Sequence, residues 1–212
     1  VVPAKAGGLG RLAALEGDAV ERLRDLSLDQ LSRVQITSVS KRAEPLNKAA
    51  AAIYVITQDD MRRSSATSLP QVLRQAPNLQ VQQVDARQFS ISARGFNGLE
   101  NSNKLLVLID GRSIYTPLAS TVFWDLNQPL VDDLDRVEVI SGPGGTLYGP
   151  NAVNGVINII SRPALDTEGF LARAVAGTRE KRASLRYGTA IGENGAFRMY
   201  GTGFTQDDTV LQ

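Results

Sequence analysis

The stretch that most invites a chemical reading is Ser141-Gly142-Pro143-Gly144-Gly145-Thr146-Leu147-Tyr148-Gly149-Pro150-Asn151. Gly144 to Gly149 have the spacing of a phosphate-cradling loop, but Pro150 and Asn151 stand where a lysine and a hydroxyl residue must follow. Without that lysine nothing reaches the outer phosphates. The dinucleotide fingerprint fails too, because Leu147 occupies the place of its third glycine. A second candidate is the carboxylate run Asp132, Asp133, Asp135 and Glu138. Paired carboxylates can hydrolyse glycosides, so a small hydrolase is one reading. The run also holds Arg136 and precedes a predicted strand, the pattern of a solvated turn. The sequence has no cysteine and no histidine. That excludes disulfides, thiolate zinc sites, Cys or His nucleophile–base pairs and a Ser-His-Asp triad. No catalytic residue, metal site or cofactor is expected.

Composition narrows the classes further. Of 212 residues, 42% are hydrophobic and 21% charged, which suits one or two folded units. A net charge of +1 gives no electrostatic case for nucleic acid. The nearest thing to a basic patch, Arg182 to Arg186, reads as a solvated strand face. No run of about 18 apolar residues exists, so no transmembrane helix is predicted. Residues 1–20, rich in Ala and Gly, read as a frayed terminus.

These loops need elements to position them. Ser27-Leu28-Asp29-Gln30 matches a capping box opening a short helix, with Leu28 and Leu31 on one side. Val34 to Ser40 then turns extended. Ile53 to Ile56 reads as a strand. Thr57 with Asp60 predicts a helix of about two turns, and Ser68 is a cap for a second helix with Pro70 in its first turn. Leu69, Val72 and Leu73 would form the buried stripe of that helix. Leu79 to Val84 and Phe89 to Ala93 read as strands. Lys104 to Ile109 is a continuous apolar run, hence a strand covered on both faces. Asp110-Gly111 supplies a tight hairpin turn, and Arg112 to Tyr115 returns. Arg136 to Ile140 and Val156 to Ile160 complete a mixed α+β domain.

After Pro163 the texture changes. Phe170 to Gly177 predicts one strand. Arg182 to Ile191 alternates, with Ala183, Leu185, Tyr187, Thr189 and Ile191 on one face and Ser184, Arg186, Gly188 and Ala190 on the other. Gly192 to Gly195 turns the chain, and Ala196 to Thr205 returns with Tyr200 and Phe204 on one side. Periodicity alone leaves two architectures open: the start of a membrane β-barrel, or a plain antiparallel meander in a soluble binding or assembly domain. Three strands cannot close a barrel, so on the first reading the chain is a fragment.

Four blocks now carry a resemblance. DLDRVEVISGPGGTLYGPNAVNGVINIISR (residues 133–162), ISARGF (91–96), LLVLIDGRSIY (105–115) and LPQVLRQAPNLQV (69–81) resemble, in order and spacing, the plug signatures of TonB-dependent outer-membrane receptors. They cover roughly residues 52 to 163. LSLDQLSRVQITSVSKR, before them, is similar to the N-terminal stretch of one branch of these receptors. The glycines of the long loop suit a domain confined inside a barrel, and Asn151 and Asn154 suit turns within it.

The resemblance implies a fold and a division of labour. The fold class is α+β: an N-terminal extension (1–40), a small mixed-sheet plug with short helices (41–163), and the first antiparallel strands of a transmembrane β-barrel (164–212). It implies active uptake of a scarce nutrient such as a ferric siderophore or cobalamin across the outer membrane of a Gram-negative cell. The expected partners are TonB, a small-molecule or metal-chelate ligand, and the lipid around the barrel. No nucleic acid is expected. TonB would grip Val34, Gln35, Ile36, Thr37, Ser38, Val39 and Ser40 by strand addition. Phe96, Asn97, Asn101 and Asn103 from one apical loop, with Tyr115 and Trp124 from another, would meet the ligand. Arg94 would join a plug–barrel charge lock. Family members often carry a second basic residue before the Gly-Pro pair, whereas Ser141 stands there in this chain.

Overall fold

The computed structural model describes residues 35–36, 44–45, 52–95, 102–192 and 195–207, with backbone only for the first two pairs and for Thr146. The chain divides into two compact units, residues 1–49 and 50–212. In the first, strand β1 (Gln35–Ile36) pairs antiparallel with β2 (Glu44–Pro45), Gln35 opposite Pro45 and Ile36 opposite Glu44. The predicted helix start at Ser27, and Val34 and Thr37 to Ser40, lie outside the described residues.

The second unit opens with β3 (Ala52–Thr57), whose β-branched run leads straight into the helix Gln58–Arg63. The predicted cap is present. The Thr57 hydroxyl accepts from the Asp60 amide at 3.3 Å, and the Asp60 carboxylate accepts from the Thr57 amide at 3.0 Å. Ser68 behaves otherwise. It stands at the N-cap of the helix Leu69–Leu73 but makes no side-chain capping bond. Pro70 has removed one of the two amides such a cap would satisfy. The Gln71 side chain folds back instead, its Oε1 accepting from the Thr67 amide at 2.7 Å and the Thr67 hydroxyl at 3.0 Å. Leu69, Val72 and Leu73 are fully buried, as the stripe predicts.

β4 (Leu79–Gln83) and β5 (Phe89–Ala93) form a separate hairpin. β6 (Leu105–Ile109) and β7 (Arg112–Ser113) are joined by Asp110 and Gly111, both at positive φ (48° and 77°), the backbone of the predicted tight turn. β7 is shorter than the sequence suggests. β8 (Leu134–Ser141) and β9 (Gly155–Ser161) complete a five-stranded sheet in the order β3-β8-β9-β6-β7, with β6 parallel to β9 and the other pairs antiparallel.

Alternating residues of these strands build two cores. Leu105, Val107, Val137, Val139, Ile157 and Ile159 pack with both helices on one side. Leu106, Leu108, Ile140 and Val156 pack with Ala152 on the other. β6 is thus covered on both faces. In the glycine-rich loop the chain makes one short helical turn, Gly145–Tyr148. At Gly155 a side chain would meet the Ile140 carbonyl oxygen at 2.5 Å, so this strand accepts only glycine there.

β10 (Gly169–Ala176), β11 (Glu180–Ile191) and β12 (Gly195–Gln206) form a three-stranded antiparallel sheet in sequence order. Arg186 lies opposite Leu171 on one side and Tyr200 on the other, which fixes the faces. Phe170, Leu185, Tyr187, Ile191, Phe197 and Met199 are exposed on one face. The opposite face carries Arg173, Arg182, Ser184, Arg186, Arg198 and Thr202.

The capping box has a pH signature. Burial raises the Asp60 carboxyl, but the Thr57 hydroxyl and amide and the Arg63 guanidinium outweigh it and hold the group below its ordinary value. A carboxyl depressed in the folded state contributes stability at neutral pH, which is lost as the pH falls through the folded value. Thr57→Ala is expected to cost about 1 kcal/mol at pH 7. The penalty should shrink below about pH 4. Guanidinium unfolding followed by the fluorescence of Trp124, the only tryptophan of the chain, measures both. A penalty constant from neutral to acid pH would uncouple the cap from the carboxylate.

Candidate functional site

A 3-10 turn, Val131–Asp133, enters β8 with two carboxylates in succession. Asp132 pairs with Arg173 of β10 at 2.9 Å, and Asp133 with Arg186 of β11 at 2.9 Å. The second oxygen of Asp133 lies 3.6 Å from Arg198 Nε of β12. Asp133 is 3% exposed. One turn of the mixed-sheet domain therefore addresses all three strands of the other sheet. Around it, Arg198 donates to the Arg162 carbonyl at 3.1 Å and the Thr167 hydroxyl at 3.2 Å. Arg182 donates to Gln128 and pairs with Glu180, both at 2.8 Å, and its guanidinium sits 4.5 Å from the centre of the Phe204 ring. Glu180 accepts from the Thr67 hydroxyl at 2.9 Å and from Gln71 Nε2 at 3.3 Å.

Two sequence expectations are corrected here. The carboxylate run is not a solvated turn: Asp133 and Glu138 are buried, and Glu138 pairs with Arg136 at 2.8 Å. Nor is Arg182 to Arg186 a solvated face, since both guanidinium groups are nine-tenths buried against the mixed-sheet domain. The signal was present in the alternation. If Leu185, Tyr187 and Ile191 face outward, then Arg182, Ser184 and Arg186 must face in. Gly188, on that inner face, comes so close to the turn Ala164–Thr167 that a side chain would meet the Thr167 carbonyl oxygen at 2.3 Å.

The nominated loop residues are placed as follows. Phe96, Asn97 and Asn101 lie outside the described residues. Asn103 and Tyr115 are half-buried. Their two loops are tied together, with the Ser102 amide donating to the Ser120 carbonyl at 3.0 Å and the Thr121 hydroxyl to Ser102 Oγ at 3.3 Å. Trp124 is 5% exposed and belongs to the core. Its remaining surface lines a cleft of about 250 Å³ with Arg87, Phe89, Phe123 and Asp125. That is below the roughly 300–1,000 Å³ of a ligand-sized site, so these residues alone do not enclose a cargo. In the same loop Leu118 stands 98% exposed.

Arg94 is exposed at φ 56°, and no ion pair joins it among the described residues. Ser141 is engaged within its own domain, its Oγ accepting from Asn78 Nδ2 at 2.5 Å. Of the segment 34–40, Gln35 and Ile36 are extended and already paired with Glu44 and Pro45.

A glycine-threaded mixed-sheet domain seated by its carboxylates on the arginine-bearing face of an antiparallel sheet defines a plug resting against a strand wall. The family model for the TonB-dependent Receptor Plug Domain matches residues 45–156, just over half of the chain, and the chain belongs to this family of transport receptors. The vitamin B12 transporter BtuB of Vibrio vulnificus (strain CMCP6) is 33% identical over 182 residues, 84% of this chain and 29% of that protein. The chain thus spans less than a third of the length of the curated relatives it matches. Among solved structures, the ferric-catecholate import receptor Fiu of Escherichia coli K12 is similar at 27% identity and TM-score 0.57, over 77% of this chain and 22% of Fiu. FpvA of Pseudomonas aeruginosa, bound to a heterologous pyoverdine, shares the fold at 21% identity and TM-score 0.63, over 83% of this chain and 23% of FpvA.

Removing one partner of a buried ion pair strands the other, so Asp133→Asn is expected to destabilise the protein by about 3–5 kcal/mol. Asp135, whose side chain is 47% exposed, pairs with Arg136 at the surface, and Asp135→Asn should cost about 0–1 kcal/mol. Guanidinium midpoints of the two variants, compared at constant m, check the difference. Equal midpoints would show that Asp133 does not seat the plug.

Proposed function

We propose that this chain is the plug and the first wall strands of an outer-membrane receptor for TonB-dependent uptake of a scarce nutrient, such as a ferric siderophore or cobalamin. The observation that carries the reading is the two-faced sheet β10–β12. Its exposed apolar face suits lipid, and its arginine face holds the plug. The division follows the sequence: residues 1–40 form an extension for the energy-coupling partner, 41–163 the plug, and 164–212 the opening strands of a barrel. The plug occludes the barrel from within, on the periplasmic side of the outer membrane, and responds to TonB. The names of the relatives, a vitamin B12 transporter and a ferric-catecholate import receptor, support the nutrient class.

TonB contacts Val34 to Ser40 by adding a strand. Gln35 and Ile36, within that segment, are already extended. Asn103 and Tyr115, with Phe96, Asn97, Asn101 and the exposed edge of Trp124, meet the ligand. Arg94 closes a charge lock with carboxylates of the wall. The protein acts by binding and movement, not catalysis.

Two measurements test this reading. The full-length receptor should require detergent for solubility; a protein that stays monodisperse in plain buffer sinks it in favour of a soluble binding domain. Ile36→Pro removes an amide donor from the added strand. It should weaken binding of the purified TonB C-terminal domain by about tenfold or more, as expected for a contact built on main-chain hydrogen bonds. It should also stop nutrient uptake in cells, while leaving ligand binding to the receptor intact. Unchanged TonB binding would move the contact away from Val34 to Ser40.

A further inference from the structure

On the inner face of β10–β12, four arginines (Arg173, Arg182, Arg186 and Arg198) stand with one acidic residue of the same sheet, Glu180. Glu180 serves Arg182. The carboxylates that neutralise the other three, Asp132 and Asp133, both belong to the plug. A strand wall that carried its own counter-ions would be neutral whether or not the plug were seated. This one is neutralised chiefly by the body that must move. Arg186 Nε has no hydrogen-bond partner although it is buried, and Asp133 Oδ2 has none either. The Arg186–Asp133 pair thus rests on charge and a single hydrogen bond of 2.9 Å, with hydrogen-bonding capacity left over on both partners.

We propose that this wall is a masked anion track. When the plug shifts, Arg173, Arg186 and Arg198 exchange the carboxylates of Asp132 and Asp133 for those of an anionic cargo, so the pathway favours cargo bearing carboxylate or similar negative groups. Three arginines on three successive strands form a diagonal row. Such a row along a narrow passage concentrates anions, as rings of arginine and lysine do in anion pores. The inference rests on the barrel reading above and adds to it the charge class of the cargo.

The test uses the full-length receptor in planar bilayers, with urea added to release the plug and KCl gradients as the probe. The wild type is compared with the triple variant Arg173→Gln, Arg186→Gln, Arg198→Gln, and with the charge-conserving triple variant to lysine. Because the glutamine variant strands Asp132 and Asp133, a further variant adds Asp132→Asn and Asp133→Asn to restore a neutral, seated plug. At low salt, the chloride-to-potassium permeability ratio should fall by roughly tenfold in both glutamine variants and hold in the lysine variant. Open channels with the same ratio in wild type and glutamine variants overturn the track while leaving the barrel standing. A protein that forms no conducting channel under any condition overturns the barrel reading and the track with it.

Discussion

The arrangement of residues 50–212 depends on the burial of one carboxylate, Asp133. Taking a carboxylate out of water costs several kcal/mol even after relaxation, and only close, well-placed cations offset it. Arg186 and Arg198 supply that compensation from adjacent strands, while the neighbouring Asp132 takes Arg173 from the third. The constraint runs both ways. Three inward arginines on adjacent strands repel one another, and without the plug's turn they would face an uncompensated lumen. Register follows as well. A one-residue slip of β11 would turn Arg186 outward and bring Leu185 and Tyr187 in, stranding Asp133 and exposing a guanidinium on the apolar face.

That coupling explains why the sheet has two such different faces. Large side chains such as Phe170, Leu185, Tyr187, Ile191, Phe197 and Met199 lie together in the open on one side. A contiguous apolar surface of this kind marks an interaction surface with lipid or protein. On the other side the small residues Ser184, Gly188 and Thr202 leave space for long guanidinium side chains and for the close approach of the turn Ala164–Thr167. Small and long residues interleave because the plug must come near while the charges reach across.

Local features of this fold were legible in the sequence; the contact between its parts was not. The Thr57–Asp60 box, the buried stripe of the second helix, the Asp110-Gly111 turn and the alternation of β11 are short-range patterns, and each is found in the structure. Ser68 makes no capping bond because Pro70 removes one amide such a cap would satisfy, and the Gln71 side chain folds back onto Thr67 instead, a competition the cap pattern alone does not reveal. The carboxylate run and the arginine run were each read as solvated. Each is polar in isolation, and their burial is a property of the pair. Positions 132–133 and 173–198 are far apart in sequence, and nothing in either segment names the other. Periodicity does say which residues share a face. Only the apolar character of the opposite face says that the arginine face is the inner one.

A charge-based seat also suits a body that must both hold and let go. At about 4 Å, the attraction of two unit charges is about 4 kcal/mol near a protein surface and about 1 kcal/mol in bulk water. The seat is therefore strong while water is excluded and weak once water enters. An apolar seat behaves differently, because its cost of separation grows in proportion to the area exposed and is unrelieved by wetting. At Asp133 and Arg186 the hydrogen bonding is incomplete, with Asp133 Oδ2 and Arg186 Nε both unbonded, so solvation offers these groups more than the closed state gives them. Were the turn Val131–Asp133 displaced, the water admitted would weaken each remaining pair. Among the described residues this seat is built from ion pairs that entering water would weaken, which sets it apart from an apolar contact.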